Sequence, residues 1–207
     1  MKPRSSLLVP IVLPIFALAS VGCQSQPAPD DGEAEPPGRG EGESPLFTTD
    51  GKLNRPQGWE AWVMVGASIG LSYAEPGAPT PVSDGPGMFH NVYMQPWAYS
   101  HFLETGEFAE ETMFVLAFYG ASQEADPAQS GFFEGELAPV MEVHLKQRDL
   151  HESGWGFYGF SGDAAAADMI VGTAPCYSCH SERTALDNVF VQFYPVLRHM
   201  LPDAEGD

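Results

Sequence analysis

The stretch TMFVLAFY, residues 112–119, is an almost unbroken apolar run in the middle of the chain. Such a run is too short for a buried helix, but it suits a β-strand that other elements cover on both faces. A strand of this kind lies inside a sheet rather than at its edge. Residues 112–119 are therefore predicted to form the central strand of the fold.

Strand-favouring residues also occur in three flanking segments, residues 88–94, 139–145 and 154–160. The first of these is followed by a proline at position 96, which favours the opening turn of a helix. We expect that helix over residues 96–104, closed by Gly106.

The rest of the domain predicts one loop and one further helix. Residues 122–131 are rich in acidic and small side chains, which indicates a loop. Residues 187–197 carry apolar side chains at helical spacing, and Pro195 marks an end or a kink. Strands with helices beside and after them indicate an α+β fold, with a largely antiparallel sheet and flanking helices.

The most specific chemical signal is Cys176-Tyr-Ser-Cys-His180, which has the C-x-x-C-H spacing of c-type haem attachment. Each cysteine sulfur can add to one vinyl group at the porphyrin edge, and the adjacent histidine can ligate the iron. From the residue counts, a chance occurrence is expected on the order of one time in a thousand. The motif predicts one covalent haem c on Cys176 and Cys179, with His180 as the axial iron ligand.

The two cysteines have three other possible roles. A structural zinc site needs about four ligands, and the sequence offers no second Cys/His pair at metal spacing. A thioredoxin-like redox pair prefers a βαβ context, which is missing here. A disulfide that closes so short a loop would stabilise the chain little. The haem reading is therefore favoured over all three.

The N-terminus has the layout of an export signal. Residues 1–22 carry Lys2 and Arg4, then an apolar run that is too short for a membrane span, and no acidic residue. Gly22 precedes Cys23, as a small residue does in a bacterial lipobox, where the cysteine becomes acylated. We expect a lipoprotein-type signal peptide with lipidation at Cys23 and a periplasmic protein anchored to the outer membrane. A simple cleaved signal is the alternative.

Composition divides the remaining chain in two. Residues 23–45 form a Pro-, Gly- and acid-rich stretch without large apolar side chains and are predicted to be a disordered tether, whereas residues 46–207 suit one haem domain. Removing residues 1–22 takes away two basic residues and no acid, so the formal net charge moves from −19 to −21. Such a charge argues against nucleic acid as a partner and favours a basic redox partner, with membrane contact only through the lipid. The alternative is a solvated acidic surface that keeps the protein soluble and indicates no particular partner.

Beyond the motif, several blocks along residues 59–197 resemble the cytochrome P-460 family, which includes the β-sheet cytochromes c′. The attachment motif lies near the C-terminus, whereas in most cytochromes c it lies near the N-terminus of a small helical domain. The matching blocks are WVMVG (62–66), VY (92–93) before Pro96, TGEF (105–108), GWGF (154–157), and DNVF (187–190) with QFYP (192–195) after the motif.

The resemblance implies a largely antiparallel β fold with flanking helices, a homodimer, and a five-coordinate haem with an open distal side. In the P-460 branch of the family a lysine is bonded to the porphyrin, and the haem oxidises hydroxylamine. In the c′ branch that lysine is missing, the distal side is apolar, and nitric oxide and carbon monoxide are bound.

Carrying the pattern over from the TGEF block places the crosslinking position at Leu116, which cannot form the bond. After the signal only Lys52 and Lys146 remain, one near the tether and one in a different predicted strand. The resemblance therefore implies Leu116 as a distal-pocket residue and favours the gas-binding branch.

His90 falls where the resemblance places a polar distal residue. A histidine facing the iron could donate a hydrogen bond to nitric oxide, act as acid or base toward hydroxylamine, or become a sixth ligand. The alternative is a histidine on a strand face, satisfied by a neighbour. The other histidines of the domain are predicted to lie at the surface or at an interface: His101, His144, His151 and His199.

The sequence thus predicts an exported mono-haem cytochrome that binds or converts nitric oxide or hydroxylamine at an open distal site. Binding and catalysis are not separated, so enzymatic activity is left open. The alternative is an electron-transfer cytochrome with a six-coordinate haem.

Overall fold

The computed structural model describes residues 46–71, 85–123, 130–149, 151–172 and 174–201. All of them belong to one compact unit, Glu35–Asp207. The predicted signal peptide, Cys23 and the predicted tether lie outside the described residues. Within the described part of the chain, no helix has both the length and the apolar character needed to cross a membrane.

The described residues form seven strands, two α-helices and three short 3-10 turns. In chain order they are β1 (Leu53–Asn54), a 3-10 turn (Trp59–Ala61), β2 (Val63–Ile69), β3 (Met88–Met94), α1 (Pro96–Thr105), β4 (Met113–Ser122), β5 (Phe133–Lys146), β6 (Trp155–Ser161), β7 (Ala166–Ala167), α2 (Pro175–Arg183), and 3-10 turns at Val191–Phe193 and Arg198–Met200.

Five strands form one antiparallel sheet in the order β2-β3-β4-β5-β6, and β1 pairs with β7 in a small second sheet. Strand β4 lies in the middle of the larger sheet, which confirms the prediction made from residues 112–119. The α+β class and the largely antiparallel sheet are confirmed as well.

Most of the predicted elements are present, with some changes of length. Strand β3 has the predicted bounds, and α1 ends at Gly106, whose φ of 75° is left-handed. Strand β5 begins at Phe133, earlier than predicted, because irregular pairing with β4 extends it past Pro139. Strand β2 was not predicted, since Gly66 and Ser68 interrupt its apolar pattern.

The predicted helix over residues 187–197 is wrong. Asp187 and Asn188 have left-handed φ values of 43° and 58°, and only the 3-10 turn Val191–Phe193 follows. Of the apolar side chains at helical spacing, Val189, Tyr194 and Leu197 pack into one core from an irregular segment, whereas Phe193 is 67% exposed.

Each face of the sheet packs on its own core. Side chains alternate along β4, so that Met113, Val115 and Ala117 pack into the first core, while Phe114 packs into the second. The first core is completed by the N-terminal segment and β7, and the second by α1 and the C-terminal segment. Further along the Phe114 face, Leu116 is only half-buried. The apolar cover that α1 and the C-terminal segment form over this face therefore ends before Leu116.

We predict that Leu145→Ala destabilises the domain by about 2–5 kcal/mol, because it opens a cavity in the first core, where Leu145 is fully buried. Leu137→Ala, in the same strand but 48% exposed, is the matched control and is expected to change the free energy of unfolding by less than about 0.5 kcal/mol. Urea unfolding of both variants measures the difference. Equal losses in the two variants would contradict this description of the core.

Candidate haem site

Helix α2 carries the attachment motif. It begins at Pro175, whose ring fixes the backbone for a first helical turn. Cys176 and Cys179 are three residues apart on this helix and lie on one side of it, about one turn from each other. Both thiols are free and half-buried. His180 follows on the same helix, so the three predicted attachment residues share one short element.

The ring of His180 is oriented by one hydrogen bond. Its Nδ1 lies 2.7 Å from the backbone carbonyl oxygen of Asn188. Because a carbonyl oxygen only accepts, Nδ1 carries the hydrogen and Nε2 keeps its lone pair. Burial lowers the pKa of His180, while the hydrogen bond to Asn188 acts in the opposite direction. A neutral imidazole with a free Nε2 is the form that ligates iron.

Aromatic rings enclose the imidazole of His180. Phe157 of β6 and Phe190 each lie 4.7 Å from it between ring centroids, and His144 of β5 lies at 4.9 Å, all nearly edge-on. These contacts join α2 to the sheet face that also carries Phe114. His180 therefore stands beside the part of that face where the apolar cover ends.

The two distal candidates lie on this same face, on neighbouring strands. Leu116 of β4 is directly opposite Val92 of β3, and His90 of β3 is opposite Phe118, with ring centroids 4.8 Å apart. All four residues are half-buried. Burial lowers the pKa of His90 and favours its neutral form. His90 Nδ1 is buried without a hydrogen-bond partner among the described residues.

Sequence reasoning missed Glu142, which belongs to this face as well. It is directly opposite Leu116 on one side and Gly159 on the other. Glu142 is exposed as a residue, yet the surrounding protein keeps enough water from its carboxyl group to raise the pKa. It is also close enough to Cys176 to raise the pKa of that thiol, although burial of the thiol has the larger effect. The available signal was a single acid inside segment 139–145, where His144 is the other polar residue.

His144 was predicted to lie at the surface or at an interface, and this is wrong. Only 8% exposed, it lies between Trp155 and Phe157, with ring centroids 4.2 Å away in each case. Burial holds its pKa well below the usual value, and the neighbouring His180 adds to this effect. It is buried because it shares the face of β5 that the C-terminal segment covers.

The residues on this face fit a haem. Three features lie together here: the free thiols of Cys176 and Cys179, the Nε2 lone pair of His180, and a half-covered apolar strand face. A Cβ added at Gly159 would meet nothing within 4 Å, so the backbone there is open to a flat group. Nowhere in the described ranges do three His, Cys, Asp or Glu side chains converge as a metal-ion site, which gives the zinc reading no support.

The sequence model of the cytochrome P460 family matches residues 56–191, which include the five-stranded sheet and both α-helices. A comparison with curated protein sequences found no match. The family match covers more than half of the chain and agrees with the resemblance of the sequence blocks. The chain therefore belongs to the cytochrome P460 family and is a haem cytochrome.

Proposed function

We propose that this protein is an exported cytochrome with a single haem c that binds nitric oxide, or a similar small nitrogen oxide, at an open distal site. The proposed attachment uses Cys176 and Cys179 as thioether donors and His180 as the axial ligand. The bound haem supplies an iron that can hold the ligand and exchange electrons with it. The observation that carries the proposal is the half-covered apolar face around Leu116, beside His180.

Ion pairs support an uncrosslinked haem. Of the two lysines outside the signal, Lys52 pairs with Asp168 at 3.0 Å and Lys146 pairs with Asp187 at 2.8 Å. Each ammonium group is directed to its own carboxylate. Leucine at position 116 cannot replace them, so the apolar, gas-binding branch of the family is the better fit.

A second candidate function, conversion of hydroxylamine, is favoured by Glu142 and His90. Burial raises the pKa of Glu142 and lowers the pKa of His90. The carboxyl group therefore keeps its proton to a higher pH than it would in water, and the imidazole stays neutral to a lower pH, as a proton donor and a proton acceptor require. The two side chains lie on the sheet face that carries Leu116. Proton transfer by such groups would serve the oxidation of a protonated nitrogen compound.

We also propose a cellular location and partners for the protein. Acylation of Cys23 would anchor it in the periplasm at the outer membrane, and the acidic surface would attract a basic redox partner. The resemblance further implies a homodimer. An electron-transfer role with a six-coordinate haem is the competing class, in which His90 would supply the second axial ligand.

We predict that haem stays with the chain after acid–acetone extraction of the wild-type protein and is lost from the Cys176→Ala/Cys179→Ala double variant, because two thioether bonds hold it. Ser178→Ala, between the cysteines, is the control and is expected to keep its haem. Complete extraction of haem from the wild-type protein would contradict covalent attachment.

We predict that Leu116→Trp weakens carbon monoxide and nitric oxide binding to the reduced protein by on the order of tenfold or more, because the larger ring would occupy the space that the gas needs, and crowding of this kind costs about 1–3 kcal/mol. Leu137→Trp adds the same side chain at an exposed position of β5 and should bind both gases like the wild type. Flash photolysis with carbon monoxide measures the rates. Unchanged rates in Leu116→Trp would remove Leu116 from the distal side.

We predict that, if hydroxylamine is consumed in the presence of an electron acceptor, Glu142→Gln and His90→Ala each slow its consumption by about 10²-fold or more, the usual size of an acid–base contribution. Glu136→Gln, at an exposed position of the same strand as Glu142, is the control. If the wild-type protein binds nitric oxide but leaves hydroxylamine unchanged, the protein is a gas binder and this second function is rejected.

A further inference from the structure

Residues 186–189 form a tight turn with an unusual backbone. The amide of Val189 donates to the carbonyl of Leu186 at 2.8 Å, and both central residues, Asp187 and Asn188, have positive φ. Positive φ at both central positions is typical of a type I′ turn, which Asp and Asn tolerate better than other residues with side chains. Such a conformation costs free energy and persists only where the surroundings hold it.

The surroundings hold Asp187 at both carboxylate oxygens. Lys146, at the end of β5, donates to Oδ2 at 2.8 Å, and the indole N–H of Trp155, at the start of β6, donates to Oδ1 at 3.2 Å. The Lys146 side chain is only 8% exposed, and its ammonium lies 5.1 Å from the centroid of the Trp155 ring. A buried ammonium group is costly without a partner, so this contact fixes the position of Asp187.

A third contact ties the other central residue to the same part of the sheet. The side-chain amide of Asn188 donates to the carbonyl oxygen of Ser153, in the connection before β6, at 3.2 Å. The turn is therefore attached to the ends of β5 and β6 through the side chains of both of its central residues.

The group that these contacts position is the carbonyl oxygen of Asn188, which accepts from His180 Nδ1 at 2.7 Å. In metal sites, a hydrogen bond of this kind fixes the tautomer and orientation of the ligating histidine and raises its basicity. The strength of the bond depends on where the carbonyl is held. Movement of the turn would lengthen it and weaken the donation from the imidazole.

We propose that Lys146, Asp187 and Trp155 form a positioning cluster that holds the Asn188 carbonyl against His180 and thereby sets the strength of the axial ligand. This inference rests on the proposed function, because it takes His180 as the iron ligand. None of the three residues needs to touch the haem. They act through the backbone of the turn.

The test uses the reduced full-length holoprotein and two readouts that a merely structural role would not move: the iron–histidine stretching frequency, by resonance Raman spectroscopy, and the midpoint potential. Lys146→Met, which keeps length but removes the charge, is expected to lower the frequency. It should also shift the oxidised-to-reduced ratio about tenfold toward the reduced form, equivalent to about 59 mV for one electron. Asp187→Asn keeps the size and turn preference and should shift both readouts in the same direction.

Two further variants make the result specific. Lys146→Arg keeps the charge and is expected to restore most of both values. Lys52→Met removes the other lysine ion pair of the domain, with Asp168, and is expected to leave both values at wild type. Should Lys146→Met fail to fold, Asp187→Asn and Lys146→Arg carry the comparison.

The outcomes separate the two proposals. Folded Lys146 and Asp187 variants with a histidine-ligated haem and wild-type values of both readouts would overturn the positioning role and leave the proposed function standing. Absence of an iron–histidine stretch in the wild-type protein would indicate a six-coordinate haem and overturn the open site of the proposed function. If a His180→Ala variant kept the wild-type stretch, both proposals would be overturned, because His180 would not be the axial ligand.

Discussion

The structure depends on the need to cover both faces of strand β4. Its side chains alternate between two cores, and burial of apolar area on each side is the main favourable contribution to the folding free energy. On one face the cover runs along the whole apolar part of the strand. On the other it reaches Phe114 and leaves Leu116 half-buried. The part of this face around Leu116 that the apolar cover does not reach is therefore where a flat apolar group can bind.

Helix α2 carries the candidate haem-attachment residues but adds few side chains to the hydrophobic core. Only Tyr177 of α2 is buried, so the helix is held mainly through its contacts with the sheet and the C-terminal segment. His180 contacts both, through the rings of His144, Phe157 and Phe190 and through the Asn188 carbonyl. Both His144 and His180 are expected to be neutral among these rings, because burial disfavours the charged form of each imidazole.

Much of this arrangement could be predicted from the sequence. Period-two alternation and apolar runs locate β3, β4 and β6, and Pro96 with Gly106 bounds α1, because these signals are local. The register then brings His90 and Leu116 to one face. The C-x-x-C-H spacing is also local, so the candidate attachment residues needed no knowledge of the fold.

What the sequence could not show depends on partners that are far apart in the chain. The apolar spacing after position 187 predicts a helix, but Lys146 and Trp155 hold Asp187 in a left-handed turn from strands more than thirty residues earlier. His144 and Glu142 look alike as polar residues in a predicted strand. One is enclosed by aromatic rings and the other is directed to the half-covered face, and only the tertiary structure separates them.

We propose that His180 is the single protein ligand of a covalently bound haem whose other side is open. The absorption spectrum of the purified holoprotein, oxidised and reduced, is the decisive measurement. We expect a high-spin, five-coordinate iron with an ordinary haem c spectrum and no sign of a lysine crosslink. A low-spin, six-coordinate spectrum in both oxidation states would rule out the open site and favour the electron-transfer class.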